Sequence, residues 1–178
     1  MTTHGAILNT ATVPLQGWDL LETKTLVANA DSVTFSSLDG DTHQMYMLIG
    51  RVINNHGSVT ASYSARPNGA TTNQSWQRLY ANDTTVAGSR GTTPMLVAQA
   101  VSAGGSVFFS SVIWASKATS SRRYLLSQAL FAGTIESLQT VGQWDETSTN
   151  ITSLVFFSDQ TDGVGTGSII HLYRKAPA

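Results

Sequence analysis

The sequence predicts an all-β fold, an antiparallel two-sheet sandwich that is jelly-roll-like and carries an extended N-terminal arm. Three observations predict it. Short apolar runs alternate with Gly, Asn, Asp and Ser clusters at roughly 8–12-residue spacing, the pattern of sandwiches and barrels. Helical periodicity is scarce. The chain has 178 residues and no cysteine, and a chain of roughly 150 residues buries about 70% of its unfolded surface without needing a covalent staple. The expected organisation is an arm over 1–17 and one sandwich over 18–178.

The elements follow in order. Strands are expected over 18–27 and over 32–36, where Val33 and Phe35 alternate with hydroxyl residues. The run 44–54 holds Met45, Tyr46, Met47, Leu48, Ile49, Val52 and Ile53. Apolar residues on both of its faces predict a central strand covered on both sides, by a second sheet and an arm or by a neighbouring subunit. Residues 58–65 alternate through Val59, Ala61 and Tyr63, and 75–81 present Trp76, Arg78 and Tyr80 on one face. The runs 95–101 and 106–114 flank Ala103-Gly104-Gly105 and read as a hairpin, glycine supplying positive φ. Further strands are expected over 124–131, 135–144, 151–158 and 168–173, with a helical turn near 129–135 as an alternative. Jelly-roll topology leads, ahead of another Greek-key sandwich. The first 17 residues are small, polar and turn-rich, and read either as a frayed terminus or as an arm lying on a neighbouring subunit.

Charged residues make up 12% of the chain and the net charge is −1, against about 25% charged residues in an average protein. Ser, Thr, Asn and Gln carry the polarity instead. No basic stripe is present to neutralise phosphates, so no nucleic-acid partner is expected. No run approaches the ~20 apolar residues that span a bilayer, so no membrane partner is expected. A surface with few ions is cheap to desolvate and suits protein subunits or sugars. Without cysteine there is no Cys-ligated zinc, iron–sulfur cluster or thiol catalysis. The N-terminus shows no basic region followed by an apolar run, so synthesis and folding in the cytoplasm are expected.

Chemistry-bearing motifs are sparse. His4, His43, His56 and His171 stand far apart and match no ligand spacing; His171, alternating with Ile169 and Tyr173, reads as a satisfied sheet histidine. No nucleophile elbow precedes a helix, and Glu22, Glu136, Asp145 and Glu146 form no recognisable acid pair. The chain is therefore expected not to be an enzyme and to hold no cofactor. Asp39-Gly40-Asp41 reads as a turn or, as a weak alternative, as two oxygen ligands for calcium. Gly163-x-Gly165-x-Gly167 precedes a strand rather than a helix, so it reads as a tight connection and not a phosphate cradle. The sequons at Asn73, Asn82 and Asn150 read as composition. Trp76, Arg78 and Tyr80 suit sugar stacking or a protein hot spot; the alternative makes both aromatics core and Arg78 its rim. Arg51, inside an apolar strand, is expected to be a buried structural charge.

A resemblance adds to this reading. Leu38-Asp39-Gly40-Asp41-Thr42, the run 46–53 with Gly50-Arg51, and Arg66-Pro67-Asn68-Gly69 resemble a recurring module of bacteriophage virion proteins. So do 150–154, 163–167 and 168–174, and the likeness spans about 18–175. Such modules form capsid decoration proteins and parts of tail fibres and spikes. The resemblance implies a jelly-roll-like sandwich, often trimeric, in the outer shell of a particle, and implies no active site. The expected function is a virion structural protein made in the host cytoplasm, a capsid decoration or cement subunit. Its expected partners are itself, as a homotrimer, and other virion proteins such as the major capsid or tail proteins. The alternative is a tail fibre or spike module that recognises host surface glycan. Tail modules are usually parts of longer chains, so a lone module is expected to be a separately added surface subunit.

Overall fold

The computed structural model describes residues 17–176, apart from 58, 83, 93, 101–103, 117–121 and 133–135. The expected arm therefore lies outside the described residues, save Gly17. The first half of the chain forms β1 (Trp18–Thr25), β2 (Ser32–Phe35), the helical turn α1 (Gly40–His43), β3 (Met45–Ile53), β4 (Ala61–Pro67), β5 (Gln74–Asn82) and β6 (Thr85–Gly91). The second half forms β7 (Met95–Ala100), β8 (Ser106–Trp114), β9 (Arg123–Phe131), β10 (Glu136–Trp144), β11 (Leu154–Ser158) and β12 (Ile169–Lys175).

The chain is an all-β sandwich of two antiparallel sheets. The large sheet runs β1-β12-β3-β8-β9-β10-β5-β6 and the small one β2-β11-β4-β7. β1 pairs with β12 and β3 with β8 in one sheet, while β2 pairs with β11 and β4 with β7 in the other. This nested order is that of a jelly roll. The hairpins β5–β6 and β9–β10 widen the large sheet beyond its partner.

The core joins the two sheets through aromatic side chains. Phe109 of β8 stacks on Phe156 of β11 with centroids 5.2 Å apart, and Phe156 stacks on Tyr63 of β4 at 5.6 Å. Each such buried ring contributes about 1.5–3 kcal/mol of transfer free energy. Where β7 crosses β9 and β10, the inner positions are small: Ser127, Thr140 and Gly142. A Cβ on Gly142 would come within 2.8 Å of Met95 Cβ, so the missing side chain sets how closely β7 approaches. The hydroxyls of Ser111 and Ser127 lie 2.7 Å apart, and Ser127 also donates to the Val97 carbonyl, as buried polar groups require.

The structure alters several expectations. β7 and β8 lie in different sheets and are not a hairpin, because the jelly roll crosses between layers there. The helical turn sits at α1, while 129–131 continue β9. β6 is a strand without a sequence signal. Arg51 is exposed on the outside of the large sheet, with Nε 3.4 Å from Ser106 Oγ; it is not a buried charge, because the pleat turns it away from the core beside Val52. The buried arginine is Arg123, at 1% exposure. Its guanidinium donates to the carbonyls of Ala115, Glu146 and Thr149 and lies over Trp144.

Three of the segments carrying the resemblance, 38–42, 66–69 and 150–154, meet at one end of the sandwich. Gly40 N donates to the Ile151 carbonyl, Leu38 N to that of Thr152, and Asn68 N to that of Ser153. Asn68 Oδ1 accepts from the amides of Thr152 and Ser153, while its Nδ2 donates to the Asn150 carbonyl. On the other side of the chain, Gly165 lets the last loop lie against β3: a Cβ there would come within 2.8 Å of the Ile53 carbonyl oxygen.

Candidate functional site

Trp76, Arg78 and Tyr80 share a face of β5 because alternate residues of a strand point the same way. That face is the inner one, but β5 and β6 extend past β7, the last strand of the small sheet. The hairpin therefore overhangs and curls round the β7 edge. Arg78 Nη1 donates to Gln99 Oε1 of β7 at 2.7 Å, and Gln99 Nε2 reaches Ser62 Oγ of β4 at 3.5 Å. Arg78 Nε donates to Ser89 Oγ of β6.

The overhang encloses a cleft of about 600 Å³ lined by Trp76 and Arg78 on one side and by Ser62, Ser64, Arg66 and Phe157 on the other. The latter four project outward from β4 and β11, so the cleft lies outside the core. Tyr80 is not part of it. It lines an adjoining hollow with Glu136 and Phe131, and its hydroxyl accepts from Asn82 Nδ2. Trp76 rests on Gly91 across the hairpin, where a Cβ would come within 2.6 Å of the indole, and Arg78 lies 5.6 Å from the ring centroid.

Arg66, which the sequence marks only as part of the resemblance and not as a site residue, occupies the opposite wall. Its guanidinium carbon sits 3.6 Å from the Phe157 ring centroid. Nε is buried without a hydrogen-bond partner, and burial lowers its pKa, as desolvation does for any cation. Asp159 borders the cleft, where Oδ1 accepts from the Ser62 amide at 2.8 Å.

The second notable surface is the outer face of the large sheet. Directly opposed residues share a face in antiparallel strands, so one row runs Tyr173, Met47, Val112, Leu126, Val141. A parallel row holds Ile169, Arg51, Phe108 and Leu130, with Phe108 50% and Leu130 61% exposed. Between the rows lies a shallow concavity of about 670 Å³ that includes His171, Ser110, Gln128 and Gln139. His171 Nδ1 is 2.9 Å from Thr23 Oγ1.

The acidic loop acts as a turn. Asp39 caps α1, its carboxylate accepting from Thr42 N, Thr42 Oγ1 and Asn150 Nδ2. These bonds hold its pKa down to about 2. Among the described residues no group of three or more His, Asp or Glu side chains is placed to hold a metal. Next to the cap, the Tyr46 hydroxyl accepts from Asp39 N and lies 2.9 Å from His43 Nδ1. His43 Nε2 lies 3.1 Å from Arg174 Nη1; arginine can only donate, so Nε2 accepts and the proton is on Nδ1.

No protein-family model matches the chain, and no curated protein matches it. Among solved structures, the crystal structure of the marine PL-14 alginate lyase from Aplysia kurodai aligns with 90% of this chain and 82% of its own, at 7% identity and a TM-score of 0.32. That protein is an enzyme, so the expectation that this chain is not one is corrected and is withdrawn. Sites built on sheet faces draw residues from distant strands and leave no short motif, so missing motifs do not exclude chemistry. At that TM-score the likeness carries no activity to this chain.

Proposed function

We propose that this protein is a structural subunit of a bacteriophage virion, made in the host cytoplasm and set on the particle surface as a capsid decoration or cement protein. It works there as a homotrimer against other virion proteins such as the major capsid protein. The observation that carries the reading is the apolar outer face of the large sheet. Exposed apolar rows of this kind mark an interaction site, and the small number of charges makes burial inexpensive. The resemblance supports the same reading, and three of its segments, 38–42, 66–69 and 150–154, are hydrogen-bonded together at one end of the sandwich. Mass spectrometry and cryo-EM of particles purified from the phage carrying the gene are the test. The chain is expected on the particle surface in three-fold clusters, and its absence from washed particles overturns the proposal.

A second reading is favoured by the cleft at the β7 edge. Trp76 and Arg78 open there to solvent beside hydroxyl and amide groups, as in a tail fibre or spike module that recognises host surface glycan. Under this reading Trp76→Ala abolishes attachment to host cells while leaving assembly unchanged. Attachment that survives the substitution removes the cleft from recognition.

A further inference from the structure

The cleft at the β7 edge has more cationic capacity than its neighbours use. Arg66 and Arg78 stand on opposite walls, and among the described residues neither is paired with a carboxylate. Arg78 is held in place by the neutral oxygens of Ser89 and Gln99. Arg66 is flattened on Phe157, with one donor buried and unmet. A half-buried cation with an unmet donor is costly, and the planar guanidinium is shaped for a two-oxygen acceptor. Asp159, the acidic residue at the margin, has one oxygen engaged by a backbone amide.

The rest of the lining is that of a sugar site. Trp76 offers an apolar surface beside polar groups, which suits the C–H face of a pyranose. Ser62, Ser64 and Gln99 add hydroxyl and amide groups to the lining. An inorganic anion has no use for the indole, and a neutral sugar has none for two guanidinium groups.

We infer that this cleft binds a carboxylate-bearing saccharide, Arg66 and Arg78 supplying the donors for the carboxylate and Trp76 the platform for the ring. The inference deepens the second reading above and adds Arg66, Phe157 and Gln99 to the site. The cost of the desolvation that lowers the Arg66 pKa is offset by charge pairing when an anion arrives.

Titration calorimetry on the full chain tests it. The probes are a galacturonate oligomer and a sialylated oligosaccharide, each beside its methyl ester, with inorganic phosphate as the bare anion. At least one acid is expected to bind about tenfold or more tighter than its ester, with phosphate failing to compete. Arg66→Gln and Arg78→Gln are each expected to weaken that binding by about tenfold or more. Arg78 is held only by side chains at the rim, so R78Q keeps the test alive if R66Q unfolds, which thermal melting shows. Acid and ester binding equally, neither acid binding, or phosphate competing on equal terms overturns the inference. Attachment of labelled protein to host cells, measured in parallel, separates the two levels. Cells bound without preference for acid sink the ligand class alone; acid bound without cell attachment sinks the recognition reading alone.

Discussion

Ala115, Glu146 and Thr149 turn their carbonyls onto the guanidinium of Arg123, one of the largest groups that the core encloses. Burial lowers its pKa, and the carbonyls supply the partners that a buried charge needs. Arg123→Met removes the charge but strands those acceptors, and is expected to destabilise the fold by about 2–4 kcal/mol. Arg51→Met changes an exposed side chain and is expected to stay within about 0.5 kcal/mol. Urea unfolding midpoints of the two variants check the contrast. The sequence points to Arg51 as the buried charge because it stands inside an apolar strand; only the packing of 145–149 over β9 closes Arg123 off. Asp39 gives a second residue-scale prediction. Its carboxyl is held to about 2, against an ordinary 3.8, chiefly by Thr42 and Asn150. Its stabilising contribution is therefore complete above pH 3.8 and is lost as pH falls through about 2. Asp39→Asn keeps a capping side chain but cannot titrate. The melting temperatures of variant and parent are expected to converge over that interval, and a constant difference would exclude the Asp39 contribution.

β6 is held as a strand by its backbone pairing with β5, since residues 85–90 are all exposed. It lies at the free edge of the large sheet, and few buried contacts there mean a low cost of local opening. Amides of 85–91 are expected to exchange with deuterium well before those of β3. Gln99→Ala, which cuts the link from Arg78 to Ser62, is expected to speed exchange in β5–β6 and leave β3 unchanged. Peptide-level mass spectrometry reads both, and equal protection of β6 and β3 contradicts the ordering. The same features explain why β6 could not be read beforehand: Thr-Val-Ala-Gly-Ser-Arg-Gly has no alternation and two glycines. β9 shows the complementary limit. Its existence is plain from 124–131, yet Leu125, Ala129 and Phe131 point inward while Tyr124, Leu126 and Leu130 point outward. Two apolar faces give no sign of which one the core takes. Trp76 and Arg78 were legible as neighbours because they share one strand face. Arg66 and Phe157 were not, because the overhang that brings them opposite is a property of unequal sheets.

A sandwich whose larger sheet carries apolar rows on both faces leaves one of those faces without cover among the described residues. The outer row through Met47, Val112, Leu126 and Val141 crosses four adjacent strands. Leu126 is 43% exposed near its centre. A charge introduced there remains hydrated in a monomer, so Leu126→Glu is expected to alter monomer stability by no more than about 0.5 kcal/mol. In a trimer joined through this face, the same carboxylate is buried without a partner, at a cost of about 2–5 kcal/mol per contact. Three copies multiply that cost, which is enough to take a micromolar sample from trimer to monomer. Thr34, exposed on β2 in the small sheet, provides the matched control, because a glutamate there adds the same charge on the opposite side of the molecule. Sedimentation velocity is expected to show trimers for the parent and Thr34→Glu, and folded monomers for Leu126→Glu. Trimers persisting in Leu126→Glu would move the interface off this face. A parent that sediments as a monomer would remove self-association altogether, leaving the apolar rows to be covered by a different virion protein.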